Sequence, residues 1–127
     1  MIVLDTDVLI EIFDKKSSKG DEALNKIVES GQDIAITSIN LHEILYGLYK
    51  YAKPIRDVLL LPVIDFTKKD ASLSAEIELK AERAGKPVRR TDAMIAAIVI
   101  NRGAFLYTFD SRHFEPLKPF GLKLFSE

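Results

Sequence analysis

The sequence contains no cysteine among its 127 residues. This absence excludes a disulfide framework, a metal site built on thiolates and a cysteine nucleophile. The only two histidines are His42 and His113, and no Ser–His arrangement of the kind that hydrolases use accompanies them. A glycine-rich loop for nucleotide phosphates is also missing. These absences direct attention to the acidic residues.

Long hydrophobic runs are missing as well. The longest apolar run, "AMIAAIVI", is much shorter than the ~20 residues that a membrane-spanning helix needs. The given sequence enters its first apolar strand at once, so we expect no signal peptide. We expect a cytoplasmic protein without membrane contact.

The chain also lacks an excess of positive charge, since its net charge is −1 at pH 7. A nucleic-acid partner would therefore require local positive charge or a bound cation. Hydrophobic residues make up 47% and charged residues 29% of the sequence, as in ordinary globular proteins. The length fits one domain, 1–127.

Predicted strands alternate with predicted helices along the chain. The strands are the apolar segments "IVL", "DIAIT", "PVIDF", "AFLYTF" and "GLKLF". Ser38 and Thr91 are predicted to cap helices, and Thr67 with Asp70 forms a capping box for a long helix. The segment "KKSSK" at 15–19 is interpreted as a loop. The alternation predicts an α/β fold, a three-layer α/β/α sandwich around a mostly parallel sheet.

Acidic residues occur where such folds bind ligands, beyond the carboxyl ends of the strands. Asp5 follows the first strand, and Asp110 follows "AFLYTF". Asp92 opens the helix that precedes "AFLYTF" and runs antiparallel to it, so Asp92 and Asp110 are expected at the same end. Glu43 lies five residues into the helix after "DIAIT". We therefore expect carboxylates from four segments to meet at one edge of the sheet.

Each acid also has a simple local explanation. Asp5 or Asp7 would serve as a helix cap, and Asp110 would form an Asx-turn. Asp92 would complement a helix dipole. Glu43 is different, because no lysine or arginine lies three or four residues from it on a mostly apolar helix.

Taken together, the acids indicate a cation site. Two carboxylates about 4 Å apart repel by roughly 4 kcal/mol at an effective dielectric constant near 20, so a group of four requires protonation or a cation. Oxygen ligands without cysteine or histidine favour Mg²⁺ or Mn²⁺ over zinc, and such an ion commonly activates water against a phosphate ester. The candidate substrate-binding residues beside these acids are Arg89, Arg90, Arg112 and His113. The alternative is that these are solvated loop charges.

Four segments of the chain resemble the successive signatures of PIN-domain proteins, in particular the VapC-type ribonuclease toxins. They are "VLDTDVLI", "SINLHEILYG", "TDAMIAAIV" and "LYTFDSRHF", and the similarity extends over almost the whole chain. The resemblance implies a five-stranded parallel sheet and a Mg²⁺- or Mn²⁺-dependent endoribonuclease that hydrolyses RNA. It also implies a homodimer and inhibition by a cognate antitoxin protein.

The resemblance assigns roles residue by residue. The catalytic acids are Asp5, Glu43, Asp92 and Asp110, of which Asp5, Asp92 and Asp110 would hold the metal ion. Thr6 and Thr108 match small hydroxyl positions that support the acids. Asp7 stands where the family often has asparagine, so a supporting role is expected for it. Many members carry a further acid near His113, and its absence here leaves the number of metal ions open.

The helix from Ile39 to Tyr51 presents more apolar surface than one face can bury, through Tyr46, Leu48, Tyr49 and Tyr51. One stripe is expected to face the core and the other a second copy of the chain or an antitoxin segment. The simpler alternative is a helix buried in a small core.

Three other functions are consistent with parts of the sequence. "LDTD" resembles the Asp-x-Asp opening of haloacid-dehalogenase phosphatases, although that family would leave Glu43 unused. A phosphoacceptor receiver module would use Asp65 in "PVIDF" but would not explain Asp92 and Asp110. A PIN fold that only binds RNA or protein is the third alternative.

Overall fold

A computed structural model describes residues 1–125, and these contain one five-stranded sheet. The strands are β1 (Ile2–Leu4), β2 (Ile34–Thr37), β3 (Val63–Ile64), β4 (Phe105–Tyr107) and β5 (Lys123–Leu124). Their order in the sheet is β3-β2-β1-β4-β5, and every neighbouring pair is parallel. The structure confirms the predicted α/β fold and makes the sheet entirely parallel.

Helices cover both faces of this sheet. They are α1 (Thr6–Leu9), α2 (Ser18–Ser30), α3 (Ser38–Lys50), α4 (Arg56–Leu59), α5 (Lys68–Arg83), α6 (Arg90–Asn101) and α7 (Ser111–Phe114). A π-helical turn (Ile10–Asp14) follows α1, and a 3₁₀ helix (Glu115–Phe120) follows α7. Within residues 1–125, no helix has both the length and the apolar character needed to cross a bilayer.

The central strand β1 divides the hydrophobic core into two halves. Val3 belongs to the cluster formed with α5 and α6, whereas Ile2 and Leu4 belong to the cluster formed with α1 to α4. All three side chains are buried, as expected for a strand covered on both faces. Because successive side chains of a strand point to opposite faces, three residues suffice to anchor both layers.

Helix boundaries differ from the sequence-based prediction at three places. Helix α2 begins inside the predicted loop 15–19, because the Ser17 hydroxyl accepts a hydrogen bond from the Gly20 N–H (3.0 Å). Thr37, rather than Ser38, caps α3. Helix α6 begins at Arg90 without a side-chain cap, so the prediction that Thr91 caps it was wrong. The capping box of Thr67 and Asp70 is confirmed.

Gly20 permits α2 to pack directly against the π-helical turn. A Cβ atom at this position would lie 2.3 Å from the Glu11 carbonyl oxygen and 2.9 Å from the Ile12 nitrogen. Both are backbone atoms of a packed turn, so neither can move aside without displacing the turn. The contact keeps the turn, and with it the chain that follows α1, close to α2.

Gly20→Ala is therefore expected to lower the free energy of unfolding by about 1–3 kcal/mol, the usual range for overpacking. Urea denaturation followed by circular dichroism measures the change. The matched control is Gly47→Ala in α3, where an added Cβ meets no atom within 4 Å, so that variant should be neutral or slightly more stable. Equal stability of Gly20→Ala and the wild type would contradict the close packing.

Candidate active site

The predicted acids lie around one cavity at the carboxyl ends of β1 and β4. This acid cavity has a volume of about 260 Å³. Its lining residues are Asp5, Thr6, Asp7, Ile10, Glu43, Arg89, Asp92, Asp110, His113 and Phe114. Four separate segments of the chain thus bring Asp5, Glu43, Asp92 and Asp110 to the same opening, beyond the carboxyl ends of the strands where such folds bind ligands.

Asp5 stands at the point where β1 ends and α1 begins. Its Oδ1 caps α1 by accepting a hydrogen bond from the Thr6 N–H (2.9 Å), and its Oδ2 accepts one from the Thr108 hydroxyl (2.8 Å). Burial, and next the negative charge of Asp7, raise the pKa of Asp5 to about 6. The hydrogen bonds only partly offset these effects, so the ionised form would gain from a nearby cation.

Asp7 joins α1 to the end of β4. Its Oδ2 accepts a hydrogen bond from the Phe109 N–H (3.1 Å) and lies 3.4 Å from the Thr108 hydroxyl, whose proton points to the closer Asp5 Oδ2. Its Oδ1 is buried and has no hydrogen-bond partner within the part of the chain that the structure describes. Burial raises the pKa of this carboxyl as well. Asp7 therefore supports the loop that carries Asp110 and leaves one carboxylate oxygen without a donor.

Glu43 reaches the cavity from α3 and is held there by Thr6. The Thr6 hydroxyl donates to Glu43 Oε1 (2.8 Å) and itself accepts a hydrogen bond from Asn40 Nδ2 (3.0 Å). Asn40 is fully buried, and the same amide lies 3.3 Å from Asp5 Oδ1. Sequence reasoning missed Asn40, although its position three residues after the capping Thr37 marks a capping box.

Asp92 differs from the other acids because the chain supplies it with basic partners. It is almost completely buried, and its Oδ2 accepts a hydrogen bond from Arg89 Nε (2.9 Å) and contacts His113 Nε2 (2.6 Å). The hydrogen bond and charge of Asp92 raise the pKa of Arg89. The Arg89 side chain is 72% exposed, so it can turn away from Asp92 at little cost in packing.

The remaining predicted residues divide into those at the cavity and those outside it. Asp110 lines the cavity and caps α7 by accepting a hydrogen bond from the His113 N–H (3.4 Å). Arg90 lies outside it, because its guanidinium makes two hydrogen bonds to Glu78 of α5. Arg89 precedes α6 in an extended backbone conformation, whereas Arg90 is the first helical residue, and the two side chains reach different carboxylates. Arg112 is exposed and does not line the cavity.

The chemistry of the acid cavity suits a hard divalent cation. Its donors are carboxylate oxygens, the ligands that Mg²⁺ and Mn²⁺ prefer, and both the raised pKa of Asp5 and the unpaired Asp7 Oδ1 favour added positive charge. Among residues 1–125, however, no three Asp, Glu or His side chains are arranged closely enough to hold a metal ion. Each catalytic acid predicted from the sequence instead accepts a hydrogen bond from the protein. Asp92 Oδ2 contacts both Arg89 and His113, so Asp92 would have to give up one of these contacts to bind a metal ion.

Comparisons with known proteins agree with this geometry. A family model described as "PIN domain" matches residues 2–117. The tRNA(fMet)-specific endonuclease VapC of Shigella flexneri is 29% identical over 120 residues, and that of Salmonella typhimurium is 30% identical over 120 residues; each alignment covers 89% of both chains. Among solved structures, VapBC2 from Rickettsia felis bound to a promoter DNA fragment superposes with a TM-score of 0.76 at 28% identity and covers 98% of both chains.

Proposed function

The chain belongs to the PIN-domain family, whose model matches residues 2–117, and from this premise we propose that it is an endoribonuclease, the VapC-type toxin of a toxin–antitoxin pair. The observation that carries the proposal is the set of four acids around one cavity at the carboxyl edge of a parallel sheet. The similar proteins named as tRNA(fMet)-specific endonucleases support RNA as the substrate class.

We further propose that Asp5, Asp92 and Asp110 hold Mg²⁺ or Mn²⁺. When bound, such an ion supplies an activated water and positive charge against the phosphodiester. The chain's own contribution is orientation: Thr108 directs Asp5, and Thr6 directs Glu43 toward the cavity. Glu43 is then placed to accept a proton from the attacking water at its exposed carboxylate.

Arg89 has two uses in this scheme, and His113 has one. Before substrate binds, both contact Asp92 Oδ2. Because Arg89 is largely exposed, its guanidinium can swing to a phosphate oxygen if Asp92 serves as a metal ligand. Arg89 would thereby stabilise the buried acid in one state and the substrate in the other, and His113 would remain beside Asp92.

The alternative enzymes and modules fit the geometry less well. A phosphatase of the haloacid-dehalogenase type would leave Glu43 unused, whereas the Thr6 hydroxyl holds Glu43 at the acid cavity. A receiver module would need its acceptor on a central strand, whereas Asp65 follows β3 at the edge of the sheet and does not line the acid cavity.

The proposed function predicts metal-dependent cleavage of RNA. Purified protein incubated with a mixed RNA pool is expected to produce fragments in Mg²⁺ or Mn²⁺, and an excess of chelator should slow cleavage by at least about a hundredfold. Gel electrophoresis of end-labelled RNA measures the rates, and p-nitrophenyl phosphate serves as the control substrate. Cleavage that persists in chelator would remove the metal mechanism, and phosphate release with RNA intact would favour a phosphatase.

We also propose an antitoxin partner and a homodimer. On α3, Leu48 is buried in the core, while Tyr46 and Tyr49 are 64% and 61% exposed. Leu59 at the end of α4 and Leu60, which follows it, are exposed as well. Exposed large apolar side chains in this number support a protein–protein interface.

A further inference from the structure

A second cavity lies directly beside the acid cavity. It has a volume of about 260 Å³ and shares Asp7, Ile10 and Asp110 with its neighbour. The residues that belong to the second cavity alone are Glu11, Lys15, Lys19 and Phe109. We term this second cavity the lysine cavity. Because the two cavities share lining residues, a chain-like substrate bound at the acids can continue into the lysine cavity without leaving the protein surface.

Lys19 is the basic group of the lysine cavity that keeps its charge available. Its ammonium lies 4.2 Å from the centroid of the Phe109 ring, and within residues 1–125 it forms no ion pair with a carboxylate. Lys15, in contrast, lies 3.8 Å from Glu11 Oε2. A cation–π contact holds an ammonium in place without neutralising it, so Lys19 presents a positioned positive charge.

Phe109 is itself fixed to the active site. Its N–H donates to Asp7 Oδ2 (3.1 Å), and its ring packs edge-to-face against Tyr107 at a centroid distance of 5.8 Å. Phe109 also directly precedes Asp110 in the chain. The position of the Lys19 ammonium is therefore coupled to the loop that carries one of the proposed metal ligands.

We propose that Lys19 binds a backbone phosphate of the RNA strand next to the cleaved one, and that Phe109 is the positioning residue for Lys19. This inference rests on the proposed ribonuclease function. A polyanion approaching a group of carboxylates is repelled unless cations lie along its path. Arg89 supplies such a cation in the acid cavity, and Lys19 supplies one in the lysine cavity.

The test compares Lys19→Gln with Lys123→Gln in RNA cleavage kinetics. Lys123 is a matched control, because its ammonium lies 5.5 Å from the Phe105 ring at the opposite end of β4. Using a single-stranded RNA oligonucleotide in Mg²⁺, Lys19→Gln is expected to raise KM about three- to tenfold with kcat unchanged, and to reduce the salt dependence of log KM by about 0.7. Lys19→Arg should restore KM, and Lys123→Gln should match the wild type.

Phe109→Leu tests the positioning role, since leucine keeps apolar volume but removes the aromatic face. It should raise KM by less than Lys19→Gln does, and the double variant should behave like Lys19→Gln alone. Additive effects would overturn the positioning role. Equal KM values for Lys19→Gln and Lys123→Gln would overturn the phosphate contact. If the wild type still cleaves RNA in that case, the ribonuclease function is unaffected. Wild-type protein that leaves RNA intact would overturn the ribonuclease function and this inference with it.

Discussion

Replacing Asp5 with asparagine is expected to reduce RNA cleavage by at least about a hundredfold, because the variant loses a charge from the site that acts on the phosphodiester. Asparagine keeps the size of the side chain and the oxygen that accepts from the Thr6 N–H. The matched control is Asp33→Asn, which removes an exposed carboxylate beside the amino end of β2 and should leave the rate unchanged. Undiminished cleavage by Asp5→Asn would exclude Asp5 from the reaction.

The same substitution is expected to stabilise the protein above pH 6. Burial and the charge of Asp7 hold the pKa of Asp5 at about 6 in the folded state, above its ordinary value of 3.8. The folded state therefore binds more protons than the unfolded state between about pH 4 and pH 6, and stability falls as pH rises through this window. Asparagine does not ionise, so the Asp5→Asn variant does not lose stability in this way as the pH rises.

Thermal melts in chelator at pH 5 and pH 8 measure this change. The melting temperature of Asp5→Asn should exceed that of the wild type more at pH 8 than at pH 5. Millimolar Mn²⁺ should then raise the melting temperature of the wild type more than that of the variant, since only the folded wild type offers the full set of ligands. An activity loss accompanied by a lower melting temperature at both pH values would instead indicate general unfolding.

Replacing Arg102 with methionine is expected to lower the free energy of unfolding by about 2–4 kcal/mol, because it leaves a buried carboxylate without its cation. Asp70 is completely buried, and its Oδ1 accepts hydrogen bonds from Arg102 Nη1 and from Asn101 Nδ2 (2.8 Å). These contacts join the start of α5 to the end of α6. The Arg102 side chain is 26% exposed, which places the expected loss below that of a fully buried pair.

Urea denaturation at pH 7 tests this expectation, with Lys80→Met as the control. Lys80 pairs with Glu76 on the surface of α5, where both side chains are more than half exposed, so its loss should cost less than about 1 kcal/mol. Adding Asp70→Asn to Arg102→Met should recover part of the stability, because the unpaired charge is removed. Similar losses for Arg102→Met and Lys80→Met would contradict a structural role for the buried pair.

The Asp70–Arg102 pair also determines how the free energy of unfolding of the wild type changes at acid pH. Burial would raise the pKa of Asp70, but hydrogen bonds from Arg102, Asn101 and Thr67 lower it to about 2, below the ordinary value of 3.8. The pair therefore contributes its full stabilisation above about pH 4 and loses it as the pH falls toward 2. Arg102→Met should show a weaker loss of stability across that acid range.

The order of the strands along the chain and their alternation with helices could be predicted from the sequence. The capping box of Thr67 and Asp70 could also be predicted, and so could the arrival of Asp5 and Asp110 at the ends of strands. These features depend on hydrophobic periodicity and on contacts between residues a few positions apart, which any stretch of sequence displays directly. The sequence by itself thus determined the fold class and the edge at which the acids meet.

Only the tertiary structure decided which hydrogen-bond donor contacts which carboxylate of the acid cavity. Thr6 reaches Glu43 across 37 positions, and His113 reaches Asp92 across 21. Arg89 and Arg90 are neighbours in the chain, yet one enters the acid cavity and the other pairs with Glu78. The physical reason is that such partnerships depend on packing between distant elements and on competition among several donors for one carboxylate. Neither of these is encoded in the spacing of residues along the chain.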